Sequence, residues 1–235
     1  MKIGEGAFGW AYSAKLDGRP VIVKTAMGTR GLVSVHEALE NMAHEVKVLN
    51  RVQKFPFVPR LLEVGPDYFV QEDVGGTSML NMLVKGGMEA REIIATVVSS
   101  GVILSQLHKD GIAHNDFEAR NILLTPHGVV AIDFGLAILR DEAGDEKFRE
   151  GLEHDLTATL ENAILAATAR DVPDSIRIVI ASVVEKFKKI IMMGRYNEDT
   201  AAELSKELLF VMAQLGAAAQ RQKKLMREKV RVVAI

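Results

Sequence analysis

The sequence of 235 residues contains no cysteine, which excludes disulfide bonds, zinc sites built on thiolates and catalysis by a cysteine nucleophile. It also lacks an excess of either charge, since 29 lysines and arginines stand against 31 aspartates and glutamates. A chain with so little net charge is not expected to bind nucleic acid through its overall charge. The six histidines show no spacing typical of a zinc site.

Long hydrophobic runs are missing as well. The longest apolar stretches, near residues 93–107 and 208–219, are interrupted by serine, glutamine or glycine. Neither reaches the roughly 18 consecutive apolar residues of a membrane span. The first residues do not show the basic and then apolar pattern of a signal peptide. We therefore expect no contact with a membrane and a cytoplasmic location.

Hydrophobic residues make up 48% of the chain, which is enough for a substantial core. Their spacing predicts two strand pairs and one helix in the N-terminal part, a Gly75-Gly76 linker, and a mostly helical remainder. The predicted elements are strands at 11–16, 20–24, 60–64, 68–71, 121–125 and 129–132, helices over 34–53 and 89–109, and helices from 156 onward with breaks at 172–173 and 194–197, where Asn197 is a helix cap. This order predicts a small strand-rich lobe, a larger helical lobe and a ligand cleft between them.

A glycine-rich motif lies near the N-terminus. Gly4, Gly6 and Gly9 fit the pattern G-x-G-x-x-G, which opens a helix in dinucleotide-binding folds. Here a strand, an Asp-Gly turn and a second strand follow instead. A glycine loop inside a hairpin can fold over phosphates and offer backbone N–H donors. Lys24, at the end of the second strand, places one cation within reach of the same phosphates.

Two acidic motifs follow in the C-terminal part. The first is His114-Asn115-Asp116-Phe117-Glu118-Ala119-Arg120-Asn121, and the second is Asp133-Phe134-Gly135. The side chains of Asp116, Asn121 and Asp133 offer hard oxygen ligands, which suit magnesium bound together with phosphate. With the glycine loop, Lys24 and the hinge in this order, the sequence resembles the catalytic domain of protein kinases over about residues 1–163.

The resemblance implies a bilobal α+β fold of the protein-kinase type, with ATP and Mg²⁺ as cofactors. The N-lobe is expected over residues 1–73 and the C-lobe over 74–163, and residues 164–235 are expected to add a helical part with a basic tail. The trimmed architecture is similar to that of the RIO kinases and of the small kinase-like ATPase of the tRNA-threonylcarbamoyl machinery.

Roles for individual residues also follow from the resemblance. Lys24 is expected to hold the α- and β-phosphates and to pair with a helix glutamate, for which we favour Glu45 over Glu37 and Glu40. Asp116 is expected to orient the acceptor hydroxyl and take its proton. The metal ligands are then Asn121 and Asp133. The other residues expected around the nucleotide are Gly4, Glu5, Gly6, Ala7, Phe8 and Gly9 of the loop, Ala11, Ile22 and Leu123, and Gln71, Glu72 and Val74 at the gatekeeper position and hinge.

Three departures from the family pattern bear on function. Asn115 replaces the arginine that often precedes the catalytic aspartate, which argues against switching by loop phosphorylation. Glu118 replaces the usual lysine near the γ-phosphate, and Arg120 could supply that cation, since the Ala-Arg-Asn sequence is similar to the loop of tyrosine kinases. Only residues 136–154 separate Gly135 from Asp155, too few for a full activation segment and a peptide-docking shelf. Asp155 itself resembles the anchor of the central helix of the large lobe.

The sequence therefore predicts a minimal, atypical Ser/Thr protein kinase that acts on a protein substrate and on itself. Two alternatives stay open. The missing docking shelf favours an ATPase or a small-molecule kinase on the same scaffold, and Glu118 favours a nucleotide-binding pseudokinase that serves as a scaffold. Residues 221–231 include six basic side chains and one acidic one. A solvated helix face explains this tail most simply, and contact with RNA or an acidic partner is the alternative.

Overall fold

The computed structural model describes residues 1–27, 33–85, 90–168, 172–210 and 213. These residues form an antiparallel sheet with one helix, followed by a lobe that is mostly helical. The predicted α+β architecture with two unequal lobes is confirmed. Within the ranges just given, no helix is both long and apolar enough to cross a bilayer.

The N-terminal lobe is built on a five-stranded antiparallel sheet. Its strands are β1 (Lys2–Glu5), β2 (Gly9–Leu16), β3 (Arg19–Ala26), β4 (Leu61–Val64) and β5 (Tyr68–Glu72), in the spatial order β1-β2-β3-β5-β4. Asp17 and Gly18 join β2 to β3 with positive φ angles of 50° and 78°, as the tight turn of a two-residue hairpin requires. β3 pairs with β5 on its other side, and this register puts Lys24 opposite Phe69.

One long helix packs against this sheet. α1 (Val35–Val52) begins with a capping box, in which the Ser34 hydroxyl accepts from the Glu37 N–H and the Glu37 carboxylate accepts from the Ser34 N–H. Its buried residues recur at steps of one to four along one face and are Ala38, Met42, Glu45, Val48, Leu49 and Val52. Glu45 is the single charged residue among them. The apolar packing of α1 therefore carries one carboxylate into the interior.

The second lobe begins after Gly75 and Gly76, whose φ angles are 64° and 89°. Its elements are β6 (Thr77–Ser78), α2 (Met79–Lys85), α3 (Ala90–Lys109), β7 (Ile112–Ala113), β8 (Ile122–Thr125), β9 (Gly128–Ala131), β10 (Ile138–Leu139), α4 (Arg140–Ala167) and α5 (Asp174–Met192). β6, β8 and β9 form one small sheet, and β7 pairs with β10. α4 packs between α3 and α5. The loops that carry the acidic motifs connect these short strands, so the strands decide where those motifs lie.

Two elements of this lobe differ from the sequence prediction. α4 begins at Arg140 rather than at residue 156, and Gly144, with φ of 83°, breaks its helical geometry near the start. The charged residues around that glycine show no apolar period, which explains why the early part of α4 is not predicted. α2 is not predicted either, because a helix of seven residues is too short for a periodic signal.

The predicted breaks further along the chain are confirmed. Pro173 directly precedes α5, and Gly194, with φ of 62°, follows its end. The Asn197 side chain accepts the N–H of Asp199 at 2.9 Å, just ahead of a helical segment over 200–210. α4 runs through residue 163, so the domain boundary predicted there falls inside a helix. The three predicted domain ranges stay predictions.

Candidate active site between the two lobes

The glycine motif forms the connection between β1 and β2. The Gly6 N–H donates to the Gly9 carbonyl at 2.9 Å, which turns the chain back on itself. A Cβ atom on Gly9 would lie 2.0 Å from the carbonyl oxygen of Thr25 in β3, so no larger residue fits there. The loop backbone thus lies close to the strand that carries Lys24.

Lys24 bridges the two lobes. Its Nζ lies 2.6 Å from Oε1 of Glu45 on α1 and 3.0 Å from Oδ1 of Asp133. Burial disfavours the ammonium form, but the two carboxylates outweigh burial and raise the pKa of Lys24. Lys24 is therefore charged at neutral pH. The structure places Glu45, and neither of the other two candidate glutamates, beside this cation: Glu37 caps α1, and Glu40 is exposed.

The two carboxylates that contact Lys24 differ in their surroundings. Glu45 is buried, and burial raises the pKa of its carboxyl against the opposing effect of the Lys24 charge. The Asp133 side chain is 49% exposed. For Asp133, partial desolvation is outweighed by the charge of Lys24, which lowers the pKa. Asp133 also has a φ of 68°, a left-handed backbone that is uncommon outside glycine and that aspartate and asparagine adopt more readily than most residues.

The loop between β7 and β8 brings Asp116, Arg120 and Asn121 together. Asn121 Nδ2 donates to Oδ2 of Asp116 at 2.8 Å and to its backbone carbonyl at 2.9 Å. Arg120 Nη2 donates to Oδ1 of Asp116 at 2.9 Å, and its Nη1 lies 2.9 Å from Oε2 of Glu118. Arg120 is the cation predicted to act near the γ-phosphate. In the structure it is paired with two carboxylates, those of Asp116 and Glu118.

A buried aspartate of α4 anchors this loop. Asp155 accepts the backbone N–H groups of His114 at 2.8 Å and of Asn115 at 2.7 Å, and His108 Nε2 donates to the same carboxylate at 2.9 Å. Asp155 and His108 are both buried. Asn115 has a φ of 59°, which asparagine tolerates better than most residues. These bonds fix the backbone immediately before Asp116.

The rings of His114 and Phe134 pack against each other in the interior, tilted by 49° and with centroids 4.7 Å apart. Both are buried in the core, which Leu49 and Leu61 also join. His114 Nε2 lies 3.1 Å from the Ile132 carbonyl oxygen, and Nδ1 has no hydrogen-bond partner among the described residues. Burial lowers the pKa of the imidazole. The ring is therefore neutral at neutral pH, with its proton on Nε2, and its role is structural.

We expect His114→Gln to reduce the amount by which the free energy of unfolding falls at acidic pH. Because the pKa of folded His114 lies below its ordinary value of about 6.5, the unfolded state binds the proton first, and stability falls as the pH drops below about 6.5. The loss is at most about 1.4 kcal/mol per pH unit. Urea unfolding of both proteins at about pH 5 and about pH 7 measures it. An equal pH dependence in the two proteins would contradict the expectation.

The glycine loop, β3, α1 and the two acidic motifs surround a cavity of about 530 Å³. This volume suits a small-molecule ligand of the size of a nucleotide. The predicted site residues that line it are Gly4, Glu5, Gly6, Ala7, Phe8, Gly9, Ala11, Lys24, Glu45, Asp116, Arg120, Asn121 and Asp133. The structure thus brings together the predicted phosphate and metal end of the site.

Part of the predicted nucleotide site does not line this cavity. Of the residues that the structure describes, the predicted ones that do not line it are Ile22, Gln71, Glu72, Val74 and Leu123. Phe69 does line it, and Gln71 is buried two residues further along β5, so both lie on the same face of that strand. The roles of these five residues in nucleotide binding stay predictions. The basic segment 221–231 lies outside the described residues.

Some residues of the cavity belong to none of the motifs that the sequence shows. They include Trp10, Ala38, Asn41 and Met42. Asn41 Nδ2 donates to the Gly135 carbonyl at 2.8 Å, which links α1 directly to the loop of Asp133. Asn41 lies four residues before Glu45, on the same face of the helix. That spacing is the signal that could have identified it.

The oxygen donors at this site fit a magnesium ion that is shared with phosphates. Mg²⁺ in nucleotide sites usually has one or two protein ligands and completes its shell with phosphate oxygens and water. Asp133 offers an ionised carboxylate. The amide nitrogen of Asn121 is engaged with Asp116, which leaves its amide oxygen as the ligand atom. Asp133 and Asn121 would therefore hold the metal, as the sequence analysis predicts.

Comparison with known proteins finds similarity to protein kinases. A family model described as the protein kinase domain matches residues 1–153. The chain is 31% identical over 143 residues to the serine/threonine-protein kinase PknG of Mycobacterium leprae. This match covers 57% of this chain and 19% of that protein. It is 29% identical over 167 residues to the CBL-interacting serine/threonine-protein kinase 18 of Arabidopsis thaliana, covering 67% of this chain and 30% of that protein.

The matched part of the chain thus spans about a fifth to a third of the length of these two relatives. The range that matches the family model includes the glycine loop, Lys24, Asp116 and Asp133, which are the residues that meet in the cavity. On the strength of that match, this chain belongs to the protein kinase family.

Proposed function

We propose that this chain is a Ser/Thr protein kinase, which transfers the γ-phosphoryl group of ATP, bound with Mg²⁺, to a hydroxyl of a protein, its own included. The observation that carries the proposal is the Lys24 ammonium between Glu45 at 2.6 Å and Asp133 at 3.0 Å, in the same cavity as Asp116. The two relatives described above are both named serine/threonine-protein kinases, which supports the choice of acceptor.

The residues of the cavity can share the work of this reaction. Lys24 is placed to bind phosphate oxygens, and the glycine loop can cover them with backbone N–H groups. Asp116 can take the proton of the acceptor hydroxyl, whose oxygen bonds to phosphorus while the bond from phosphorus to the ADP oxygen breaks. Mg²⁺, when bound, supplies neutralisation of the phosphate charge. Positioning and charge therefore account for the catalysis, without a covalent intermediate on the protein.

The short chain after Gly135 supports a second candidate, an ATPase or small-molecule kinase on the same scaffold. Only residues 136–139 separate Gly135 from α4, which leaves little backbone there for docking an extended peptide. Retention of Lys24, Asp116 and Asp133 at one cavity argues against the pseudokinase alternative. A cytoplasmic location and binding of RNA or an acidic protein by segment 221–231 stay predictions.

Incubation with γ-labelled ATP and Mg²⁺, with and without casein as a general acceptor, tests the proposal. We expect acid-stable label on serine or threonine of this protein or of casein, and loss of that label when EDTA removes the metal. Release of inorganic phosphate without labelled protein would favour the ATPase. If circular dichroism shows that the protein is folded and neither labelled protein nor free phosphate forms, both enzyme hypotheses are contradicted.

A further inference from the structure

The stretch between the Asp133-Phe134-Gly135 motif and Asp155 contains no residue that forms a phosphate ester. Residues 133–156 include no serine, threonine or tyrosine, and the next hydroxyl belongs to Thr157. In kinases that are switched by phosphorylation of this stretch, new contacts between phosphate and basic side chains help to place the helix of the Lys–Glu pair. Here that modification has no acceptor in this stretch, so other contacts must place α1.

The beginning of this stretch is held by side chains at three successive backbone carbonyls. Asn41 Nδ2, Asn115 Nδ2 and His44 Nε2 donate to the carbonyls of residues 135–137, in that order, at 2.8, 3.1 and 2.7 Å. Asn41 and His44 both belong to α1. The helix is therefore joined to the backbone of this stretch within one turn of Glu45.

Two ion pairs continue the contact at the first turn of α4. Arg51 Nη1 lies 2.9 Å from Oδ1 and 2.8 Å from Oδ2 of Asp141, and Lys47 Nζ lies 2.5 Å from Oε1 of Glu142. Arg51 is in the last turn of α1, and the two acidic residues are in the first turn of α4. The helix dipole of α1 favours a cation in its last turn, and the helix dipole of α4 favours anions in its first turn. We call these four residues the α1–α4 clamp.

We propose that the α1–α4 clamp replaces a phosphorylated activation segment. The carboxylates of Asp141 and Glu142 are permanent anions in the stretch that lacks phosphate acceptors, and they hold α1 where Glu45 meets Lys24. The inference rests on the proposed function and adds its regulation: the kinase is active without phosphorylation of this stretch. The clamp residues are positioning residues, since they act on the reaction through α1.

The exposure of the clamp determines how large an effect to expect. The Arg51 side chain is 35% exposed and that of Asp141 is 59% exposed, and ion pairs of this kind are weak and screened by salt. Removing one pair therefore shifts the position of α1 only slightly. Reversing one charge replaces attraction by repulsion, and we expect it to lower kcat/KM about 3- to 10-fold.

A charge-swap series tests the clamp. Arg51→Glu and Asp141→Arg are each expected to lower kcat/KM by this factor and to speed amide hydrogen exchange in α1, and the double variant R51E/D141R is expected to recover both. Lys147→Glu is the matched control, because it breaks an exposed ion pair with Glu150 within α4. It should leave the rate and the exchange unchanged. Phosphatase treatment of the unaltered protein should not lower its activity.

Losses that add in the double variant, single variants with unaltered kcat/KM and exchange, or loss of activity on phosphatase treatment would each overturn the proposal. If Arg51→Glu does not fold, the second pair of the clamp is reversed instead, and Lys47→Glu, Glu142→Lys and the double variant K47E/E142K are compared in the same measurements. Amide exchange in α1 does not depend on phosphoryl transfer. A protein without transferase activity therefore refutes the proposed function, while the exchange series still decides whether the clamp holds α1.

Discussion

Asp133→Ala is expected to lower phosphoryl transfer by about 10³-fold or more, as loss of a metal ligand at the transferred phosphate should. In the structure the Asp133 carboxylate lies 3.0 Å from Lys24 and belongs to the cavity that holds Asp116. The variant therefore loses the expected Mg²⁺ ligand and one contact of the lysine together. The measurement is the initial rate of label transfer from ATP at saturating Mg²⁺.

The control for this variant is Asp174→Ala, the same chemical change at the start of α5. The Asp174 side chain is 99% exposed and lines no part of the cavity, so we expect the wild-type rate. Thermal unfolding should show that both variants are folded. A rate for Asp133→Ala within about tenfold of wild type, in folded protein, would remove Asp133 from the metal site.

The motif residues of this site are predictable from the sequence because each motif is local. Short segments of the sequence identify the glycine loop, Lys24 and the loop of Asp116. Few kinds of site contain these residue types in this order along the chain. The assignment of Glu45 also follows from its place on α1, where helical spacing puts it among the apolar residues of the buried face. The structure brings these residues to one cavity, as their motifs predict.

Contacts between distant parts of the chain are not predictable in this way. Asn41 and His44 bind carbonyls more than ninety residues further along, and nothing in the local pattern of either polar residue identifies a carbonyl as its partner. The early start of α4 is missed for a related reason. Its first turns are charged and include Gly144, and they are held by contacts such as Arg51 with Asp141 rather than by an apolar face.

Asp116→Asn is expected to lower kcat by about 10²- to 10⁴-fold, the usual contribution of one positioned proton acceptor. The change keeps the size of the side chain but removes its charge. Asp116 accepts from Arg120 at 2.9 Å and from Asn121 at 2.8 Å. An amide can preserve one of these contacts through its oxygen, yet it cannot take the proton of an acceptor hydroxyl.

Binding of ATP provides the readout that separates a chemical role of Asp116 from a structural one. Trp10 is the single tryptophan of the chain and lines the cavity, so its fluorescence can follow a titration with ATP and Mg²⁺. If Asp116 acts on the acceptor proton, the affinity for ATP should stay within about threefold of wild type while kcat falls. A parallel loss of affinity would instead indicate that the loop has moved.

The control for Asp116→Asn is Asp199→Asn, which also exchanges an ion-paired carboxylate for an amide. Asp199 lies 2.6 Å from Lys109, and both side chains are more than half exposed, so the substitution should alter neither kcat nor ATP affinity. Unaltered kcat in Asp116→Asn would show that transfer does not need Asp116 as the proton acceptor, while the roles of Lys24 and Asp133 at the phosphates and the metal would stand.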